Sequence, residues 1–285
     1  MNHAFPNQVV KIADLLNVPQ KQRQAMMKES LRYMGNVDFA KSSPEVMGET
    51  WKIIRKYTGC DDPYKENKRY YNQKMLELSA GIDSFLREDP DPYTAYLKAA
   101  IIGNVIDFAS NHAFDIESVK KQIAGSRNTA LAIDHSGQLF DKLKTAKTLL
   151  YLGDNCGEIV VDKLFIRFIK KTFPGLRVFY GVRGEAIVND VTEEDARMVG
   201  MDEEAQVIGN GDVSLGTVIE RASGEFRKVF SAADLVIAKG QGNYEGLWDA
   251  AGPVTFFLLM AKCKFIAGCL GVRQMDIACL SACCA

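Results

Sequence analysis

A chain of 285 residues with 47% hydrophobic and 25% charged side chains is ordinary for a globular protein, with length enough for one large domain or two modest ones. Its 35 basic residues face 36 acidic ones, a net charge of −1, so nothing points to nucleic acid or an anionic membrane surface as a partner. No run is long and apolar enough to span a bilayer, and the opening MNHAFPNQVVKIADLL lacks the basic-then-apolar order of a signal peptide, so the cytoplasm is the expected compartment.

Seven cysteines (Cys60, Cys156, Cys263, Cys269, Cys279, Cys283 and Cys284) are an odd number, which without a secretory signal favours reduced thiols over a disulfide framework. No Cys-x-x-Cys occurs and the three histidines are scattered, so no zinc site is expected. The tail CLSACCA reads as a small-residue end.

From Asn7 to about Lys147 the pattern is helical almost throughout. Val9, Ile12, Ala13 and Leu16 share a face before a break at Asn17-Val18-Pro19, and a second helix runs from about Gln20 to Tyr33. Ser43-Pro44 reads as a helix cap followed by a first-turn proline; that third helix carries Val46, Met47, Ile53, Ile54 and Tyr57 and stops at Gly59. Asp61-Asp62-Pro63-Tyr64 opens a helix through Leu86, and Asp89-Pro90-Asp91-Pro92 is the clearest break. Tyr93 to His112 follows as a mostly apolar helix. Within it Asn104 and Asp107 stand three apart on one side, and buried polar groups need a partner, a cavity or a ligand. An interhelical hydrogen bond explains the pair as well as a binding site does.

Beyond Lys147 strand and helix alternate. Strands are expected at Thr148–Leu152, Arg177–Val182, Glu204–Ile208, Leu235–Lys239 and Lys264–Gly268. Helices are expected at about Glu158–Thr172, Thr192–Val199, Gly216–Phe230 and Tyr244–Ala250. Such alternation implies an α/β core with a parallel sheet and helices on its faces, following an all-helical part.

The loops after these strands carry the polar residues. The first strand ends at Gly153, and Asp154-Asn155 then stand where a helix begins, at the sheet edge where open α/β folds bind ligands. The pair offers hard oxygen ligands to a divalent cation, and the helix N-terminus offers N–H groups to an anion such as phosphate. Equally, Asp154 or Asn155 could serve only as the helix cap. In the second loop Arg183 could clamp a phosphate and Asp190 could join Asp154 and Asn155 around a cation; alternatively Asn189-Asp190 caps the next helix and Arg183 lies on the surface. The third, Gly209-Asn210-Gly211-Asp212, reads as a turn on its own. In the fourth, AKGQGNYEGL, Lys239 ends an apolar strand and glycines follow, a pattern suited to close approach of an anion. Gly240, Gly242 and Gly246 only brush against the dinucleotide fingerprint, since no acidic residue lies about twenty positions on, and no Walker A sequence exists.

Taken together, the DNxGE turn with its helix, the RGxxIxND loop, NGDxxGT and KGQGNYE resemble the metal-dependent damage-control phosphatases, once catalogued as domain of unknown function 89. AAIIGNVIDFASN and DPYKENKRYYN extend the resemblance over most of the chain. It implies a three-layer α/β/α core with a mainly parallel sheet over 148–285, holding metal and phosphate, preceded by an all-helical domain over 1–147 that caps the site with Asn104 and Asp107. It further implies one divalent cation (Mg²⁺, Mn²⁺, Co²⁺ or Ni²⁺) and hydrolysis of small phosphomonoesters, among them sugar phosphates and damaged phosphometabolites. By position Asp154, Asn155 and Asp190 match its metal ligands and Lys239 its phosphate-side lysine. Asn104, Asp107, Glu158, Arg183 and Asn243 match positions lining the pocket. Two departures stand out: the N-terminal Cys-x-x-C frequent in the subgroup is replaced by Met1-Asn2-His3-Ala4-Phe5-Pro6, and Cys156 stands where the turn commonly has alanine.

The expected activity is therefore that of a metal-dependent phosphatase acting on a small-molecule phosphate ester. The cation would polarise the phosphoryl group, and Lys239 with loop N–H groups would hold the non-bridging oxygens. The attacking oxygen would come from a metal-activated water or a carboxylate, with Asp154 the first candidate. The rival is a nucleotide- or S-adenosylmethionine-binding α/β protein such as a carboxyl methyltransferase. That class calls for a glycine-rich loop after the first strand and an acidic ribose-binding residue ending the second, where this chain has Asp154-Asn155 and Val182-Arg183.

Overall fold

Capping chemistry sets the helices of the first half. The computed structural model describes residues 4–38, 40–103, 116–250 and 254–282. It has α1 (Ala4–Leu15), α2 (Gln20–Gly35), α3 (Ser43–Thr58), α4 (Lys65–Arg87), α5 (Pro92–Ile102) and α6 (Ile116–Ser126). Ser42, one residue before the expected cap, closes a capping box with Glu45 at the start of α3, and Gly59 ends that helix in the left-handed region. Asp91 accepts from the Thr94 N–H to start α5. Among the described residues no helix is long and apolar enough to cross a membrane, and the five described cysteines are free thiols.

The rest alternates as β1 (Leu131–Asp134), α7 (Ser136–Leu143), β2 (Thr148–Leu152), α8 (Glu158–Thr172), β3 (Arg177–Val182), α9 (Glu193–Met198), β4 (Gln206–Gly209), α10 (Gly224–Ala232), β5 (Leu235–Lys239), α11 (Gly240–Leu247), β6 (Thr255–Met260), α12 (Lys264–Leu270) and β7 (Ile277–Ser281). The strands form one seven-stranded sheet in the order β1-β7-β6-β5-β2-β3-β4. From β6 through β4 neighbours run parallel; β7 is antiparallel to β6, and β1 runs parallel to β7.

Three expectations are corrected, and two strands are added. The helical pattern does not persist to Lys147, because Leu131–Asp134 is an edge strand of the sheet. Lys264–Gly268 is helical: the Cys263 sulfur accepts from the Ile266 N–H at its start, Gly271 closes it in the left-handed region, and Phe265 is left 75% exposed. The strands at Thr255–Met260 and Ile277–Ser281 were not read, since short, wholly buried apolar runs do not declare their period. The helix expected from Gly216 begins only at Gly224, capped by Ser223, after a 3₁₀ turn at Ile219–Arg221; Gly216, at φ +106°, cannot be helical.

Side chains alternate between the two faces of the sheet. Leu149, Tyr151, Val178, Tyr180, Leu235 and Ile237 pack under α4, α5 and α8, while Leu150, Leu152, Phe179, Val236 and Ala238 pack under α10, α11 and α12. This is a three-layer α/β/α arrangement. A third cluster, centred on Val9, Ile12, Met26, Met47, Trp51 and Ile54 of α1–α3, also contains Ile187 and Val213 from the loops after β3 and β4. So α1–α3 brace the loops at the carboxyl ends of the strands. From β2 the chain steps outward to β3 and β4, then returns to the other side of β2 as β5. Such a reversal opens a crevice beyond the strand ends, here between β2 and β5.

Candidate functional site

Asp154 and Asn155 leave β2 at this crevice, and the loop from Arg183 to Asp190 leaves β3 beside them. The two segments are tied by backbone: Asn155 and Asp190 form an antiparallel bridge. Val191 N–H donates to the Asp154 carbonyl and Cys156 N–H to the Asn189 carbonyl, each at 2.9 Å. Within that loop Val188 has φ +46°, a costly conformation for a β-branched residue, held by packing against the α1–α3 cluster.

The side chains interlock. The buried Arg183 guanidinium donates from Nε to Asp190 Oδ2 (2.6 Å), from Nη2 to the Gly153 carbonyl (3.2 Å) and from Nη1 to Thr217 Oγ1 (3.4 Å), and it stands 4.0 Å from Asp154. Asn155 Nδ2 donates to Asp154 Oδ2 (2.8 Å) and Glu158 Oε2 (3.3 Å). Burial pushes the Asp190 carboxyl up to about 7: Arg183 pulls it down, but Asp154 adds to the rise. Glu158 is pushed up to about 8 by burial and by Asp154 and Asp162, against the pull of Lys239.

Lys239 has no exposed surface. Its ammonium, expected to hold phosphate oxygens, donates to Glu158 Oε1 at 2.5 Å and Asp162 Oδ1 at 2.6 Å and lies 5.9 Å above the Tyr151 ring. Asp162 also accepts from the Tyr151 hydroxyl (2.7 Å) and the Tyr180 hydroxyl (3.1 Å). Burial works against the charge on Lys239, yet Asp162 and Glu158 outweigh it and its pKa rises. The tyrosine hydroxyls are driven well above their ordinary range, by burial first and the Asp162 charge second, so they remain donors. Asn243 Nδ2, in the first turn of α11, joins that helix to the first loop by donating to the Gly153 carbonyl (3.0 Å) and to the end of β5 by donating to the Lys239 carbonyl (2.7 Å).

Gly153, on which these bonds converge, has no room for a side chain, because a Cβ there would lie 2.3 Å from the Tyr180 hydroxyl oxygen. Behind the turn, Gly157 sits at φ +77° and donates its N–H to Asn72 Oδ1 on α4 (2.6 Å). The adjacent Lys68 ammonium is held by Asp62 and Asp195 at 2.8 Å each.

Asp154, Asn155, Glu158, Arg183, Asp190, Lys239 and Asn243 are thus brought into one cluster. Asn104 and Asp107 lie outside the described residues. Asp162, Tyr151, Tyr180, Thr217 and Asn72 were not foreseen; for Asp162 the signal was its spacing of four from Glu158 in a helix, which puts both on one face. Among the described residues no group of three His, Cys, Asp or Glu side chains stands ready for a metal ion. The trio here is two carboxylates and an amide.

Residues 3–278 match the profile of the family described as the damage-control phosphatase ARMT1-like domain. The chain is 34% identical over 277 residues to an uncharacterised protein of Methanocaldococcus jannaschii, covering 94% of this chain and 90% of that one. A damage-control phosphatase of Pyrococcus horikoshii is 30% identical over 275 residues, covering 96% and 94%. The crystal structure of a DUF89-family protein from Pyrococcus horikoshii superposes with a TM-score of 0.85 at 29% identity, covering 98% of this chain and 96% of that one.

Proposed function

The chain belongs to the damage-control phosphatase ARMT1-like family, and we propose that it hydrolyses small phosphomonoesters with one divalent cation. The observation that carries this reading is a charge imbalance. Four buried carboxyl groups, Asp154, Glu158, Asp162 and Asp190, are set against two buried cations, Arg183 and Lys239; burial pushes Asp190 up to about 7 and Glu158 up to about 8, and a divalent ion would draw both back to the ionised form. Uncompensated buried charge is costly, so the donor set suits such an ion, and its oxygen atoms suit Mg²⁺, Mn²⁺, Co²⁺ or Ni²⁺. Asp154, Asn155 and Asp190 would hold it. When bound, the cation polarises a phosphoryl oxygen and offsets charge gathering in the transition state.

The chain's own groups supply the remainder. The first turn of α11 begins at the end of β5, beside β2, and has no side-chain cap, so its N–H groups suit phosphoryl oxygens. Lys239, engaged by two carboxylates, contributes its positive charge from beneath rather than as a clamp. Arg183 holds Asp190 and the Gly153 carbonyl in place. The attacking oxygen comes from water or from Asp154, and the substrate class is sugar phosphates or damaged phosphometabolites.

Hydrolysis of p-nitrophenyl phosphate by metal-stripped protein, with each cation added back, tests this reading. Turnover is expected to need a cation and to vanish in folded Asp190→Ala; a rate indifferent to both would overturn it.

A further inference from the structure

Given the cation site proposed above, on which this rests, we infer that Asp162 is a positioning residue that acts through Lys239 and Glu158 to fix which end of the Asn155 amide faces the cation. A side-chain amide has an acceptor end and a donor end, and only the oxygen ligates a hard cation. Asn155 turns its nitrogen towards Asp154 and Glu158. Both its hydrogens therefore face carboxylates, and the oxygen lies on the opposite side.

Glu158 takes part because its two oxygens are divided. Oε1 accepts from Lys239, and Oε2 accepts from Asn155. That division depends on Lys239 not moving over to engage both oxygens. Asp162 opposes such a move from the other side, sharing the same ammonium at 2.6 Å. Asp162 is itself anchored to the sheet by two hydroxyls, from Tyr151 on β2 and Tyr180 on β3. Those tyrosines are register partners with stacked rings 5.7 Å apart. An alternating series thus runs from the sheet outward: hydroxyls, Asp162, Lys239, Glu158, the Asn155 amide. All of its members except Asn155 are buried. Asp162 bonds to Lys239, and its influence on the trio that would ligate is transmitted through that ammonium and Glu158.

Asp162→Asn keeps the size and one of the two acceptor oxygens, so it can still accept from Tyr151 or from Tyr180, but it removes the charge that balances Lys239. Lys239 then faces Glu158 alone, and the Asn155 amide loses its anchor. Outer partners of metal ligands typically change affinity by about 10–100-fold, and a weakening of that order is expected for Mn²⁺ binding to Asp162→Asn, read from the electron paramagnetic resonance of free Mn²⁺. Turnover of p-nitrophenyl phosphate at saturating Mn²⁺ is expected to fall far less than the affinity. General loosening of the fold would not produce that split. Tyr180→Phe, which removes one bond to Asp162, is expected to weaken Mn²⁺ binding by roughly fivefold, the worth of one net hydrogen bond. Folded Asp162→Asn that binds Mn²⁺ as tightly as the parent overturns the inference; if that variant does not fold, unchanged affinity in Tyr180→Phe overturns it. A parent protein that binds no Mn²⁺ overturns the cation site itself, and Asp162's role falls with it.

Discussion

Asn72 reaches from α4 into the back of the Asp154 turn and gives one hydrogen bond, from the Gly157 N–H to its Oδ1. Its Nδ2 is buried without a partner, so the side chain is kept for what its oxygen does. Asn72→Ala would leave a buried N–H unsatisfied where the turn enters α8. A loss of about 1–3 kcal/mol is expected, measured by urea unfolding. At this scale the sequence was partly legible. Asp154, Asn155 and Asp190 stand out because they break apolar runs at strand ends, where a carboxylate has little to do for packing. Asp162, Tyr151 and Tyr180 do not stand out, since each resembles an ordinary member of an amphipathic helix or a buried strand. Lys239 was read as a phosphate group's partner because the carboxylates that engage it, 81 and 77 positions earlier, are joined to it only by the fold.

Among the elements, α3 and the loop after β4 form a brace for the site. Asp212 accepts from the Ser214 N–H (3.2 Å) and from Arg221 Nε (3.1 Å), and Arg221 goes on to Glu49 of α3. Asn210 binds the Gly184 N–H (2.8 Å), linking this loop to the one carrying Arg183. Burial raises the Asp212 pKa, but the Ser214 and Arg221 bonds outweigh it, and the net shift is downward from about 3.8. A carboxyl depressed in the folded state contributes stability above its unfolded value and loses it as pH falls through the folded one. Urea unfolding at pH 6 is therefore expected to find Asp212→Asn less stable than the parent. As the pH is lowered below 3.8 the two are expected to converge. The elements legible in the sequence were those with a period or a clear cap: α8 falls where expected, as do β2, β3 and β5. β1 has four residues at a sheet edge, and the Phe265-Ile266 pair of α12 looks strand-like until the Cys263 cap is known.

Across the whole molecule, the site gathers segments near residues 154–162, 183–190 and 239–243, with α1–α3 bracing two of the loops. A ligand at their meeting point stabilises every layer at once. If the proposed cation binds only the folded chain, it adds about 2.7 kcal/mol at a concentration of 100 Kd. A higher melting temperature with Mn²⁺ than with chelator is expected for the parent, and no difference for Asp190→Ala.

The pairing of β1 with β7 also orders events during synthesis. β1 is complete at Asp134, yet its one strand neighbour among the described residues begins at Ile277. A nascent chain carries β1 as an unpaired edge while most of the sheet emerges behind it. Contacts so distant in sequence form slowly, because a long loop must close before they are made. The first strand of the sheet in sequence therefore finds its partner only after β7 has been made.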